Sequence, residues 1–300
     1  MSTLYADRDA LSRGESEVTD TYGATVAKRR LSRRLEELRK QNGYTANQVC
    51  DKLNWGRGKV GRFEANSWKR PDMSDIRDLL RIYEVADADR RELEDLAVAA
   101  RHRAWWRDYS DVFGDSEYSG YEEDAARICL YMPLVLPGLL QTQAYAEAQM
   151  RVGSQSPAWR RRALESRLRR QEALTREGAA APEVTAVVTE ASLLYRWGSL
   201  EERRCQVGHL VELARSPNVE LRLLRFADGL HPGMCGLISV FDFPGDEPSV
   251  VCLETDFGIQ EVSEKKETDA YIEIFGRARE AALDAPATTA HLKQLAETLE

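Results

Sequence analysis

No stretch of this 300-residue chain is apolar enough to cross a bilayer. The longest apolar run, residues 130–140, is broken by Pro133 and Pro137 and falls well short of the roughly 20 residues a spanning helix needs. Cysteine is scarce: the five, Cys50, Cys129, Cys205, Cys235 and Cys252, are odd in number and never form a C-x-x-C pair. That pattern argues against a disulfide framework and a thiolate zinc centre, and free thiols fit a reducing cytosol. Signatures of catalysis are missing as well. Residues 104–300 hold no G-x-x-x-x-G-K-[ST], no G-x-G-x-x-G after a strand, no H-E-x-x-H and no G-x-S-x-G. No phosphate-cradling loop, helical zinc pair or activated serine is therefore indicated. The expectation is a protein without enzymatic activity, cofactor or metal.

What is present is charge, unevenly placed. The net charge of -8 has the wrong sign for a nucleic-acid partner until it is divided along the chain. Residues 23–103 carry 19 Lys and Arg against 13 Asp and Glu, a surplus of six positive charges, whereas residues 104–300 carry 21 against 32, a surplus of eleven negative ones. Attraction to phosphate depends on local charge, so the first segment is the one expected to meet DNA. The first 22 residues, net -3, lack the apolar core of a secretory signal and read as a disordered leader. The domains expected are thus 1–22 leader, 23–103 DNA-binding and 104–300 effector, in a cytoplasmic, nucleoid-associated protein.

Periodicity fills in these segments. Over residues 25–41, Val26, Leu31, Leu35 and Leu38 form a helical stripe closed by Asn42-Gly43. Thr45 stands three residues before Gln48, a capping-box spacing that opens a second helix of about two turns, through Leu53. Asn54-Trp55-Gly56 makes a tight connection to a third short helix over residues 57–65, with Val60 and Phe63 facing inward. Two more helices are expected at 74–83 and 89–101, capped by Asp72-Met73-Ser74 and Asp87-Ala88-Asp89. Residues 102–120, with Trp105, Trp106 and Tyr109, read as a connector that packs down. Beyond it, helices at 122–128, 142–151, 158–176, 200–214, 266–283 and 289–299 alternate with strands at 184–189, 219–226, 237–243 and 250–253. The fold class expected is a mainly α, five-helix helix-turn-helix domain followed by an α+β domain.

Two short helices joined by a Gly-containing turn present the second of them to a major groove. Arg57, Lys59 and Arg62 should face outward from that helix as base-reading groups, because Arg can pair bidentately with guanine. Gly58 and Gly61, read as lying within the helix, would each weaken it by about 1 kcal/mol. They either let the backbone approach DNA or leave a helix ordered only on binding. Phosphate contacts are expected from Lys28, Arg29, Arg30 and Arg33 on the first helix, Thr45 and Gln48 on the second, and Lys69 and Arg70 after the third. The segment from Gly43-Tyr44-Thr45 to Arg62-Phe63-Glu64 resembles the Xre/Cro-type helix-turn-helix family. The resemblance makes Thr45 the cap of helix two, Val49, Leu53, Val60 and Phe63 the core, and Arg62 with Glu64 the polar pair ending the recognition helix. It departs from the family at Ala46, where Gln is common, and at Gly56, which replaces a Ser or Thr cap. Fewer base contacts are implied. A homodimer on a palindromic operator is expected, because one such head contacts few base pairs and palindromic half-sites mirror a protein two-fold.

In the acidic segment, His231, Cys235, Cys252 and Glu254 could converge on a metal if their two strands were neighbours, though packing is the usual role of such groups. Glu190 reads as a helix-start carboxylate. The segment resembles the effector domain, of uncharacterised biochemical role, that follows an Xre-type head in regulators of antibiotic-producing high-GC bacteria. Its most specific element is Pro137-Gly138-Leu139-Leu140-Gln141-Thr142, physically a Gly turn feeding a helix. That resemblance implies a small partner protein encoded nearby, or a small ligand, acting on the acidic domain. The alternative is an antitoxin-like interaction protein of a two-gene module that binds DNA mainly for autoregulation.

Overall fold

A computed structural model describes residues 22–68, 70–176, 181–234, 236–255 and 258–299. The chain divides between Arg107 and Asp108 into two compact units. Residues 1–21 of the expected leader, and Lys69 and Cys235, lie outside the described residues, whereas Tyr22 packs against the first helical core.

The first unit is built from α1 (Ala24–Gln41), α2 (Ala46–Lys52), α3 (Lys59–Glu64), α4 (Met73–Ile82) and α5 (Asp87–Ala99). Leu31 and Leu35 of α1, Val49 of α2, Val60 and Phe63 of α3, and Ile76, Leu79 and Leu80 of α4 close one apolar core. The first four helices end alike. Gly43, Asn54, Asn66 and Glu84 each sit in the left-handed region, with φ of 70, 52, 56 and 52°. The following N–H groups of Tyr44, Trp55, Ser67 and Val85 return to the carbonyls of Arg39, Cys50, Arg62 and Leu80, satisfying otherwise orphaned helix-end oxygens.

Two details differ from the sequence reading. The third helix starts at Lys59, because Gly58 takes φ 84° as its N-cap; Arg57 and Gly58 belong to the turn, and only Gly61 lies inside the helix. At α5 the N-cap is Ala86 with no side-chain bond, so Asp87 and Asp89 are first-turn acids rather than caps, where they complement the positive end of the helix dipole.

The second unit is α+β, as expected. It opens with α6 (Ser110–Phe113) and α7 (Tyr118–Asp124), then β1 (Arg127–Met132), α8 (Gln143–Val152), α9 (Pro157–Gln171), β2 (Glu183–Thr189), α10 (Glu190–Leu194) and α11 (Leu200–Leu213). There follow β3 (Val219–Leu224), β4 (Leu237–Asp242), β5 (Val250–Thr255), β6 (Gly258–Val262), α12 (Lys265–Ala281) and α13 (Ala285–Thr298). All six strands form one mixed sheet in the order β3-β2-β1-β4-β5-β6. Parallel pairing joins β1, β2 and β3, and antiparallel pairing continues through β4, β5 and β6.

The helix expected over 122–128 ends at Asp124, and the next residues become the central strand β1. Five of its six residues are buried, so it reads as a continuous apolar run rather than an alternation, as a strand covered on both faces does. The edge strand β6, Gly-Ile-Gln-Glu-Val, is exposed at its first four residues and carries no apolar pattern at all. Among the described residues no helix is long and apolar enough to cross a membrane.

Candidate nucleic-acid interface

The geometry of the α2–α3 pair starts with a local bond exchange. The Gln48 backbone N–H donates to Thr45 Oγ1 at 3.2 Å, and the Thr45 N–H donates to Gln48 Oε1 at 2.8 Å. This capping box fixes the start of α2. Val60 and Phe63 then anchor α3 in the core, and Trp55 and Trp68 pack beside Phe63 with ring centroids 6.4 and 5.8 Å away.

Charge pins α3 at both ends. At its start, Lys59 Nζ lies 2.6 Å from Asp75 of α4 and 4.1 Å from the centroid of the Trp55 ring. At its end, Glu64 accepts two hydrogen bonds from Arg39 of α1, at 2.6 and 2.9 Å, and a third Arg39 N–H bonds the Tyr44 carbonyl at 2.6 Å. Both side chains of that pair are nearly buried, 13% and 10% exposed. The Glu64 hydrogen bonds raise the Arg39 pKa against the opposing effect of burial. Glu64 therefore ties α3 to α1 rather than serving Arg62. Burial pushes the nearby Tyr83 hydroxyl up, with the Glu64 charge adding to the rise, so it stays protonated.

The residues singled out in the sequence are distributed unequally. Arg57 and Arg62 are exposed, and among the described residues neither is paired with a carboxylate. Lys59 is committed to Asp75 and Trp55. Thr45 and Gln48 are exposed at the start of α2. On α1, Lys28 is buried with its Nζ 5.4 Å from the centroid of the Trp68 ring, Arg30 is buried against Glu92 at 3.0 Å, Arg33 pairs with Glu37 at 2.8 Å, and Arg29 is half-buried. Arg70 is exposed and lines, with Lys28, a cavity of about 240 Å3.

Arg101, Arg103 and Arg107 share that cavity and were not singled out; the Arg101-His102-Arg103 cluster was their available signal. Arg39 and Asp75 were missed too, since a partner 25 or 16 residues away leaves no local pattern. Gly56, Gly58 and Gly61 have dinucleotide-fingerprint spacing, but they follow a helix rather than a strand, so the context that gives such spacing meaning is missing.

In the second unit the Pro137–Thr142 string is a folding knot. Gly138–Leu140 form a 3-10 turn with Leu139 and Leu140 buried, and Thr142 caps α8 by accepting from the Tyr145 N–H. Gln171 donates to the carbonyls of both Gly138 and Gln141 at 2.8 Å, and Gln206 takes the Thr142 N–H at 2.7 Å. Glu190 opens α10, and its carboxylate accepts from the Phe226 N–H at 2.6 Å. Strands β4 and β5 are neighbours, yet His231 is engaged with the Tyr131 hydroxyl at 2.8 Å, Cys252 is buried and Glu254 is exposed. Among the described residues, no group of three or more His, Cys, Asp or Glu could hold a metal ion.

Residues 30–93 match a helix-turn-helix domain, and residues 116–294 match a domain of unknown function (DUF5753). No curated protein and no solved structure matches the chain.

Proposed function

The chain belongs to the family of the domain of unknown function DUF5753, and from that premise we propose that it is a sequence-specific regulator of transcription. Its helix-turn-helix, of the Xre/Cro kind, binds double-stranded DNA. The observation that carries this reading is the pair of exposed guanidinium groups, Arg57 in the turn before a short helix clamped at both ends and Arg62 on that helix. A clamped helix holds its side chains in register with base edges, and each bidentate Arg–guanine contact discriminates by about 1–3 kcal/mol. Lys59 can reach a base only by leaving Asp75, so its first role is to orient α3. Thr45, Gln48 and Arg70 meet phosphate with Arg29 and Arg33, while the burial of Lys28 and Arg30 makes them the weaker members of that set. The charge asymmetry between the two segments supports the same assignment.

The protein acts as a homodimer on a palindromic operator, since one such head spans few base pairs. Its acidic domain responds to a small ligand or a small partner protein. Repeated selection of random duplexes by the full-length protein, followed by footprinting, tests the DNA reading. One enriched motif with two inverted half-sites about one helical turn apart is expected. Recovery of no motif, or no binding to any duplex at low salt, contradicts it.

A further inference from the structure

Two arginines on α9 turn inward beneath the 3-10 turn that opens with Gly138. A Cβ at Gly138 would come within 3.5 Å of Arg170 Nη2 and 3.7 Å of Arg167 Cζ, so this turn lies directly over both guanidinium groups. Their surroundings differ. Arg170 is neutralised by buried Glu122, bonded through Nε and, at 2.9 Å, through Nη2. Burial works against the Arg170 charge, but Glu122 outweighs it and raises its pKa.

Arg167 has no carboxylate partner among the described residues. Its Nη1 donates to two neutral amide oxygens, Gln141 Oε1 at 2.6 Å and Gln149 Oε1 at 3.0 Å, and its Nε is shut off from solvent with no partner. Burial and the neighbouring Arg170 pull its pKa down to about 10, which leaves it cationic at neutral pH. A desolvated charge held by neutral acceptors is costly and is ordinarily met by a counter-charge.

Beside Arg167 lies a cavity of about 70 Å3. Arg167, Gln141 and Gln149 form its polar side, and Phe113, Met132, Leu136 and Ile259 its apolar side. Glu254 stands exposed among the lining residues, close enough for its charge to be felt by both arginines. The interior groups Arg167, Arg170 and Glu122 sum to one positive charge, which matches a monoanion; a phosphate dianion would leave buried negative charge. A guanidinium presents planar, charged donors that suit a planar carboxylate. A volume equal to a few water molecules admits only a short body behind that carboxylate.

We propose that this cavity binds a small monocarboxylate with a short apolar body, its carboxylate paired with the Arg167 guanidinium. That this acid is the signal acting on DNA affinity rests on the ligand-sensing reading above; the site itself does not. Isothermal titration calorimetry of the full-length protein at pH 7 with sodium acetate, propionate, butyrate and benzoate tests it, with sodium chloride and phosphate as controls. At least one acid is expected to bind saturably, one per chain.

Arg167→Gln is expected to weaken that binding about tenfold or more, the effect of losing a hydrogen bond to a charged group. Glu254→Gln, on the exposed rim, is expected to tighten it by removing a like charge. Absence of saturable heat with every acid, phosphate binding in preference, or indifference to both substitutions overturns the site. If an acid binds while affinity for the selected duplex is unchanged, the site stands and the sensing reading falls; if no acid binds, the DNA-binding reading is untouched.

Discussion

The two units use arginine in opposite ways. In the first, Arg39 turns inward to Glu64, while Arg57 in the turn before α3 and Arg62 on α3 face outward. In the second, Arg170 and Arg167 both turn inward around one carboxylate, Glu122. The contrast lies in which oxygens face each guanidinium: Arg39 and Arg170 each bond a carboxylate, Arg57 and Arg62 face solvent, and Arg167 bonds only neutral amide oxygens.

The largest effect expected from breaking this contrast is at Glu122. Its side chain is 2% exposed, and Glu122→Gln leaves two adjacent buried cations without a neutralising partner. A loss of about 3–5 kcal/mol from the second unit is expected in urea unfolding. A loss below 1 kcal/mol would mean that solvent already screens the pair.

Next comes the clamp on α3. Arg39→Met strands Glu64 in a nearly buried position, with an expected cost of about 2–3 kcal/mol to the first unit. The same variant should also bind its selected duplex more weakly, because α3 is no longer held; unchanged binding would detach the clamp from function.

A smaller effect separates fold from contact at Gly61, which lies inside α3 and has open space where a Cβ would stand. Gly61→Ala should stabilise the helix by about 1 kcal/mol in thermal unfolding. If the backbone there approaches DNA, the same substitution weakens DNA binding; stabilisation with unaltered binding would show that α3 keeps its distance.

Glu220 carries the smallest effect. Burial opposes its charge, but the hydrogen bonds and charges of Arg222 and Arg279 outweigh it and hold its pKa below the ordinary 4.5. A depressed carboxylate pKa contributes stability that is present above about pH 4.5 and is lost as pH falls through the folded-state value. The gap between the protein and Glu220→Gln, about 1 kcal/mol or less for a partly exposed network, should therefore be full at pH 7 and close below pH 4.5. A gap independent of pH would remove the ion pairs from the account.

Local chemistry was legible in the sequence, and distant chemistry was not. The Thr45–Gln48 capping box and the Gly43 and Asn54 helix stops depend on residues within one turn, and each left its pattern in the chain. Glu84 does the same job as Gly43 in a residue type that rarely adopts positive φ, so it gave no signal. Gly58 misled because glycine inside a helix and glycine capping it look alike until φ is known.

The Arg39–Glu64 and Lys59–Asp75 pairs join separate helices, and a charged residue with a distant partner looks like any solvated one. Burial divided α1's basic residues in the same hidden way: Lys28 and Arg30 sit under other elements, and no spacing rule says so. In the sheet, β1 escaped because a central strand loses the alternation that marks a half-exposed one.

The most direct test of the outward-facing helix compares affinities of the full-length protein and the Arg57→Ala/Arg62→Ala double variant for the selected duplex and for a scrambled one, at two salt concentrations. The expected result is a preference for the selected duplex that falls by about 30-fold or more in the variant, with the scrambled duplex still bound in a salt-dependent way. An unchanged preference in the double variant would contradict the assignment of base reading to α3.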